Sequence, residues 1–186
     1  MTQKKKIYPT RDNKLKASKA LKYEWRMLNE IAPRIRLYEN KDMVIYNALI
    51  EAFCAHLRNF IEFFHRKKRR PFWSDFLPPN KNILLKHKLD KYESKVNDLL
   101  SHCTYKRLNY TGTEKEWHID QIVGEVNENM FKFIDAADQN LLCDKIKKYK
   151  NILESSNLIY DKSSTHTSSD NIGKSQIIKH DEYGQR

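Results

Sequence analysis

The chain is 186 residues long and carries a formal net charge of +11, so it can form one ordinary domain with a tail. Its 4 Gly and 5 Pro are too few for a turn-rich all-β fold and favour long helices with few connections. The excess of positive charge fits a polyanionic partner, either nucleic acid or an anionic membrane surface. A basic protein without such a partner is the alternative.

The cysteines indicate a reducing, cytoplasmic environment. Cys54, Cys103 and Cys143 are widely spaced and lie in helical patterns, which is typical of buried thiols and not of a disulfide framework. The sequence holds no C-x-x-C pair and no H-E-x-x-H, so we expect neither a metal nor another cofactor. The first residues are basic but no apolar core follows them, so we expect no signal peptide. The apolar runs are far shorter than a membrane span, so no membrane partner is expected.

The spacing of apolar residues predicts the first two helices. After a basic arm over residues 1–12, apolar residues at spacings of 4, 3 and 3 predict a helix over residues 13–32, which Pro33 stops. Its apolar residues are Leu21, Trp25, Leu28 and Ile31. A second helix is predicted from Asn40, a favourable N-cap residue, to about Arg66. Its predicted buried stripe consists of Ile45, Leu49, Phe53, Leu57, Phe60 and Phe64.

Three more helices are predicted after a basic-aromatic loop over residues 66–82. Apolar residues at spacings of 4, 3, 4, 3 and 4 from Leu85 predict a third helix over residues 85–107. A fourth contains Ile119 and Phe133, and a fifth begins near Asp138. The polar composition over residues 156–186 predicts a disordered tail. We therefore predict an all-α fold, a bundle of about five helices over residues 13–155.

The strongest candidate for chemistry is the sequence RNFIEFFH over residues 58–65. Arg58 and His65 are seven residues, or about two helical turns, apart, so both side chains project from nearly the same face. A guanidinium can clamp a phosphate while an imidazole beside it moves protons. RNA cleavage requires that pair of groups and no metal.

This motif resembles that of the HEPN superfamily, helical bundles that include many ribonucleases with an Arg, a polar residue and a His on one internal helix. The match is Arg58, Asn59 and His65 on the second predicted helix. NALIEAFCAHLRNFIEFFH, LLSHCTYKRL and Trp117 also resemble a group of small uncharacterised bacterial helical proteins, over about residues 12–136. The resemblance implies that His65 is the acid or base for attack by the 2′-hydroxyl, Arg58 the phosphate clamp and Asn59 the orienting group. It also implies a site shared across a homodimer.

A structural interpretation of the same residues stays open. Glu62 lies four residues after Arg58 and three before His65, so it could pair with both without any chemistry. Glu51, seven residues before Arg58, could join such a polar seam at a dimer contact. His56 projects about 200° around the helix from Arg58, so we expect it to be a hydrogen-bonded histidine of the bundle.

Two other groups of residues could support the site. His102 and Arg107 form a polar cluster at the end of the third predicted helix, where they could meet Arg58 or bind terminal carbonyl groups. The loop after His65 contains candidate RNA-binding residues, whose cations could track phosphates while an aromatic ring stacks on bases. They are Arg66, Lys67, Lys68, Arg69, Arg70 and Trp73. Alternatively, the aromatic side chains fold back over the core and the cations are solvated.

Two hypotheses follow from the sequence. The first is a metal-independent endoribonuclease of HEPN type, a toxin or defence effector that acts as a homodimer. The second is a non-catalytic helical module that binds RNA or a protein partner, with Ile177 and Ile178 in the tail as a docking segment for such a partner. A membrane-surface binder is less well supported, because no predicted helix pairs a basic face with a strongly apolar one.

Overall fold

The computed structural model describes residues 9–65, 72–100 and 116–163, and these residues form an all-α bundle, as predicted. The described residues contain no β-strand. The five α-helices are α1 (Arg11–Tyr38), α2 (Met43–His65), α3 (Glu93–Leu100), α4 (Ile119–Ala136) and α5 (Asp144–Ser163). Short 3-10 helices lie at Trp73–Phe76, Leu89–Tyr92 and Gln139–Leu141. The described residues up to 151 belong to one compact unit, and the end of α5 from residue 152 belongs to another.

Helix α1 continues through Pro33 to Tyr38, so the prediction that this proline stops the helix is wrong. Proline lacks the N–H that would bond to the carbonyl of Asn29 and costs about 3 kcal/mol inside a helix. Beyond the proline, Ile35 continues the buried stripe and is only 3% exposed. Burying an isoleucine stabilises the fold by about 1.5–3 kcal/mol, which is enough to offset most of that cost.

Helix α2 begins at Met43 and not at Asn40, because Asp42 is the residue that caps it. The Oδ1 atom of Asp42 accepts hydrogen bonds from the N–H groups of Val44 (2.9 Å) and Ile45 (3.1 Å). Ile45 was predicted to be buried but is 40% exposed, whereas Ile50, which is not part of the predicted stripe, lies in the core. The rest of the predicted stripe is buried or half-buried: Leu49, Phe53, Leu57, Phe60 and Phe64.

An aromatic cluster joins the end of α2 to α4 and to the first 3-10 helix. The ring of Phe133 lies edge-on to those of Phe63 (5.1 Å between centroids), Phe76 (5.6 Å) and Phe64 (6.4 Å). Edge-to-face geometry at these separations is the favoured arrangement of aromatic pairs. The cluster fixes the position of His65, the residue directly after Phe64.

The third helix starts later than predicted, because a side chain of α4 binds the backbone that precedes it. The Oδ1 atom of Asn129 accepts the N–H of His87 (3.0 Å), and its Nδ2 donates to the His87 carbonyl (2.8 Å). The bond to the His87 carbonyl occupies the acceptor that a helix begun at Leu85 would use, and the bond from the His87 N–H gives a partner to a group that would be unpaired in the first turn of that helix. The chain therefore passes Leu85 in a non-helical conformation and turns helical at Leu89. Residues 101–107 of the prediction lie outside the described residues.

A buried polar network ties α1 to α4. The indole N–H of Trp25 donates to Oδ1 of Asn127 (2.6 Å), and the side-chain amides of Asn127 and Asn29 exchange hydrogen bonds of 3.0 and 2.9 Å. Helix α5 begins at Asp144 and not near Asp138, which instead caps the 3-10 helix Gln139–Leu141. Helix α5 then runs past residue 156, where the tail was predicted to start.

Candidate functional site

The predicted motif lies on the last three turns of α2, and its members have separate partners. The Nε atom of Arg58 is 3.4 Å from Oε1 of Glu62, and the Arg58 side chain is 40% exposed. Arg58 and Glu62 are thus brought together as an i, i+4 pair, as the structural interpretation predicts. Glu51 is exposed two turns earlier on the same helix.

Asn59 faces α1, away from Arg58. Its Nδ2 donates to Oε2 of Glu24 (2.7 Å), and the same carboxylate oxygen lies 2.6 Å from Nδ1 of His56. The ring of His56 also meets the edge of Tyr23, with centroids 6.0 Å apart. His56 is therefore a hydrogen-bonded histidine between two helices, as predicted. The role of Glu24 was missed, because nothing in the sequence indicates a contact over this chain separation.

His65 accepts a backbone hydrogen bond from the start of the third helical segment, residues 89–100. The N–H of Leu89 donates to Nε2 of His65 at 3.1 Å. Leu89 is the first residue of the 3-10 helix that continues into α3, so its N–H has no partner inside the helix. An imidazole nitrogen accepts only when it carries no proton, so His65 is neutral with its proton on Nδ1. In this arrangement His65 serves as a cap for the helix.

The surroundings of His65 favour that neutral form. Burial lowers the pKa of His65 below its ordinary value, and the negative charge of Asp90 acts in the opposite direction. With Nε2 occupied and Nδ1 protonated, the ring can donate a proton but cannot accept one. It can act as a general base only after releasing Leu89.

The cap predicts how stability depends on pH. The unfolded imidazole, with a pKa of about 6.5, binds a proton more readily than the folded one, because burial lowers the pKa of folded His65. The contribution of His65 is therefore complete above about pH 6.5 and is lost as the pH falls through the folded pKa. We expect wild-type urea midpoints to fall between pH 7.5 and 5.5 by more than those of His65→Gln, which keeps an acceptor that does not titrate. Equal falls in both proteins would contradict the cap.

Trp73 is the one predicted RNA-binding residue that the structure describes. Its indole N–H donates to the carbonyl of Phe64 (3.0 Å), and its ring lies 5.4 Å from that of Phe72. Phe72 and Phe76 are buried, which matches the interpretation that these aromatics fold back over the core. The other predicted residues, Arg66, Lys67, Lys68, Arg69, Arg70, His102 and Arg107, lie outside the described residues.

A polar strip along α4 was missed by sequence reasoning. Buried Glu125 accepts hydrogen bonds from Lys91 (2.7 Å), Tyr92 (3.0 Å) and Gln121 (3.0 Å). Burial by itself raises the pKa of this carboxyl, but the hydrogen bonds outweigh it and the pKa is lowered. Polar residues at positions 121, 125, 128, 129 and 132 recur with helical spacing, and this was the signal available. The strip holds the segment that leads to Leu89 and so positions the cap on His65.

A cationic surface lies where α5 meets α1. Ser18 accepts the N–H of Cys143 (2.9 Å), and the ring of Tyr149 meets Trp25 edge-on at 5.0 Å. Between these contacts the ammonium of Lys22 lies 5.6 Å from the centroid of the Tyr149 ring. The basic residues of α1 can be read from the sequence, but their proximity to α5 is a tertiary feature.

The described residues contain no group of His, Cys, Asp or Glu side chains that could hold a metal ion. In the part of the chain that the structure describes, no helix is both long and apolar enough to cross a membrane. No protein-family model, curated protein or solved structure matches the chain. The resemblance to HEPN ribonucleases therefore stays a prediction.

Proposed function

We propose that the chain is a helical module that binds the phosphate backbone of single-stranded RNA without cleaving it. The observation that carries this proposal is the charge of α1, which contains eight basic residues and three acidic ones. The basic residues are Arg11, Lys14, Lys16, Lys19, Lys22, Arg26, Arg34 and Arg36. Cations arrayed along one helix release counterions from a polyanion, which supplies most of the free energy of binding that does not depend on sequence.

The contacts of the predicted motif support the non-catalytic form of the proposal. The acceptor nitrogen of His65 is occupied by the N–H of Leu89, and Asn59 is bound to Glu24. In this arrangement neither Nε2 of His65 nor Nδ2 of Asn59 is free for a substrate that Arg58 could hold. The motif instead stabilises the junctions of α2 with α1 and with the third helical segment.

The proposal predicts a steep dependence of RNA affinity on salt. For about four phosphate contacts, the slope of log K against log salt is about −3, and affinity falls about 50-fold between 50 and 200 mM salt. Fluorescence anisotropy with labelled U20 and A20 RNA in EDTA measures both slopes. We expect similar slopes for the two sequences, because phosphate contacts carry no sequence information. Absence of binding at 50 mM salt, or an affinity that salt does not change, would contradict the proposal.

The second candidate is the metal-independent endoribonuclease of HEPN type, a toxin or defence effector that acts as a homodimer. One observation favours it: burial lowers the pKa of His65, so its ring is neutral near pH 7, as a general base must be. Arg58 is also partly exposed on the same helix. This function requires His65 to release Leu89. It predicts products with 2′,3′-cyclic phosphate in EDTA that both Arg58→Ala and His65→Ala fail to form.

A further inference from the structure

The cationic surface between α1 and α5 brings three positive charges together. Lys22 and Arg26 are one turn apart on α1, and Lys145 is one turn before Tyr149 on α5. Burial lowers the pKa of Lys22, and the nearby charges of Arg26 and Lys145 lower it further, against the opposing effect of the Glu30 carboxylate. The two helices therefore hold like charges within electrostatic range of one another.

The carboxylate of Glu30 compensates this cluster in part, since its charge raises the pKa values of both Lys22 and Tyr149. Among residues 9–65, 72–100 and 116–163, no carboxylate lies within 4 Å of the ammonium groups of Lys22 and Lys145. Arg26 has one such neighbour, Glu30, at 3.6 Å from its Nε. That separation is too long for a hydrogen bond, and Nε of Arg26 is buried without any hydrogen-bond partner. The Arg26 side chain is still 35% exposed, so it is open in part to solvent.

We propose that Lys22, Arg26, Lys145 and Tyr149 form a seat for a backbone phosphate of single-stranded RNA, an inference that rests on the proposed function. A phosphate bridging the three cations replaces their mutual repulsion with charge-assisted hydrogen bonds. The guanidinium supplies a planar pair of donors, and each ammonium supplies a point charge. Burial, together with the charge of Glu30, raises the pKa of Tyr149 to about 12, so its hydroxyl is protonated at neutral pH and can donate a hydrogen bond.

The position of Lys19 favours a chain of phosphates over a single free anion. Lys19, Lys22 and Arg26 lie within an arc of about 60° on α1. They extend over about 10 Å along the helix axis, which is more than one phosphate group covers. Lys19 is exposed and has no ion-pair partner among the described residues. A strand seated at Lys22 can therefore meet a further cation at Lys19.

The test compares two triple variants of the full chain with the same loss of charge. K22Q/R26Q/K145Q removes the seat. The control, K41Q/K81Q/K147Q, removes three lysines that lie outside α1: Lys41 and Lys81 are exposed, and Lys147 is paired with Asp144 of its own helix. In U20 binding, the seat variant should lose about 0.7 from the magnitude of the salt slope, because the three cations share one phosphate contact. The control variant should keep the wild-type slope, and Lys22→Arg, which keeps the charge, should keep it as well.

The outcomes separate the seat from the proposed function. The seat is overturned, and the proposed function stands, if the wild type binds RNA in a salt-dependent way but the seat variant keeps the wild-type slope. Equal losses of slope in both triple variants have the same consequence. If the wild type does not bind U20, the proposed function fails, and the seat is then tested with inorganic phosphate alone. An increase in Tm with phosphate in the wild type and the control variant, but not in the seat variant, then supports an anion seat and refutes its assignment to RNA. No increase in any protein overturns the seat.

Discussion

Phe133→Ala is expected to lower the free energy of unfolding by about 3–5 kcal/mol, the range for deleting a large buried aromatic side chain. Phe133 is 0% exposed and contacts the rings of Phe63, Phe64 and Phe76. Its loss leaves a cavity between α2, α4 and the first 3-10 helix, which cannot close without moving all three. Urea denaturation followed by circular dichroism measures the change.

Phe131→Ala is the matched control for this experiment. Phe131 is the same residue type on the same helix, but it is only half-buried, at the edge of Trp25 with centroids 5.8 Å apart. We expect a clearly smaller loss, because less apolar surface returns to water. Equal losses for the two variants would show that the cluster around Phe133 is not the centre of the core.

Asn129→Leu is expected to lower the free energy of unfolding by about 2–4 kcal/mol, because it leaves the N–H and C=O of His87 without partners. Asn129 is fully buried and binds both groups. Amide hydrogen exchange should accelerate at His87 and at Leu89, whose N–H bonds to His65.

Glu128→Gln supplies the control for Asn129→Leu. Glu128 lies beside Asn129 and pairs with Lys86 and His87, but its side chain is 42% exposed. Exposed pairs contribute about 0–1 kcal/mol, so we expect a change no larger than that. Slow exchange at Leu89 in Asn129→Leu would contradict the proposal that α4 positions the cap on His65.

Most of the fold could be predicted from the sequence, because apolar spacing reports which face of each helix is buried. The errors arose where a tertiary contact overrides a local preference. Pro33 does not stop α1, since Ile35 beyond it is buried. The third helix does not begin at Leu85, since Asn129, more than 40 residues away, takes the backbone groups of His87.

The contacts of the candidate site also include some that the sequence predicts and some that depend on the tertiary fold. The pairing of Arg58 with Glu62 is local and could be predicted from helical spacing. The partners of the other two motif residues could not, because Glu24 is 35 residues from Asn59 and Leu89 is 24 residues from His65. Likewise, the spacing of lysines within α1 is visible in the sequence, whereas the approach of Lys145 to Lys22 requires the fold.

The proposed function requires that the chain binds RNA and leaves it intact. The most direct measurement follows one end-labelled single-stranded RNA with wild-type protein and with His65→Gln at pH 7, in EDTA and 50 mM salt. Anisotropy reports the bound fraction, and denaturing gels of the same samples report strand integrity. We expect both proteins to bind the RNA with similar affinity and to leave it full-length. Cleavage by the wild type to 2′,3′-cyclic phosphate ends, absent with His65→Gln, would contradict the claim and establish the ribonuclease.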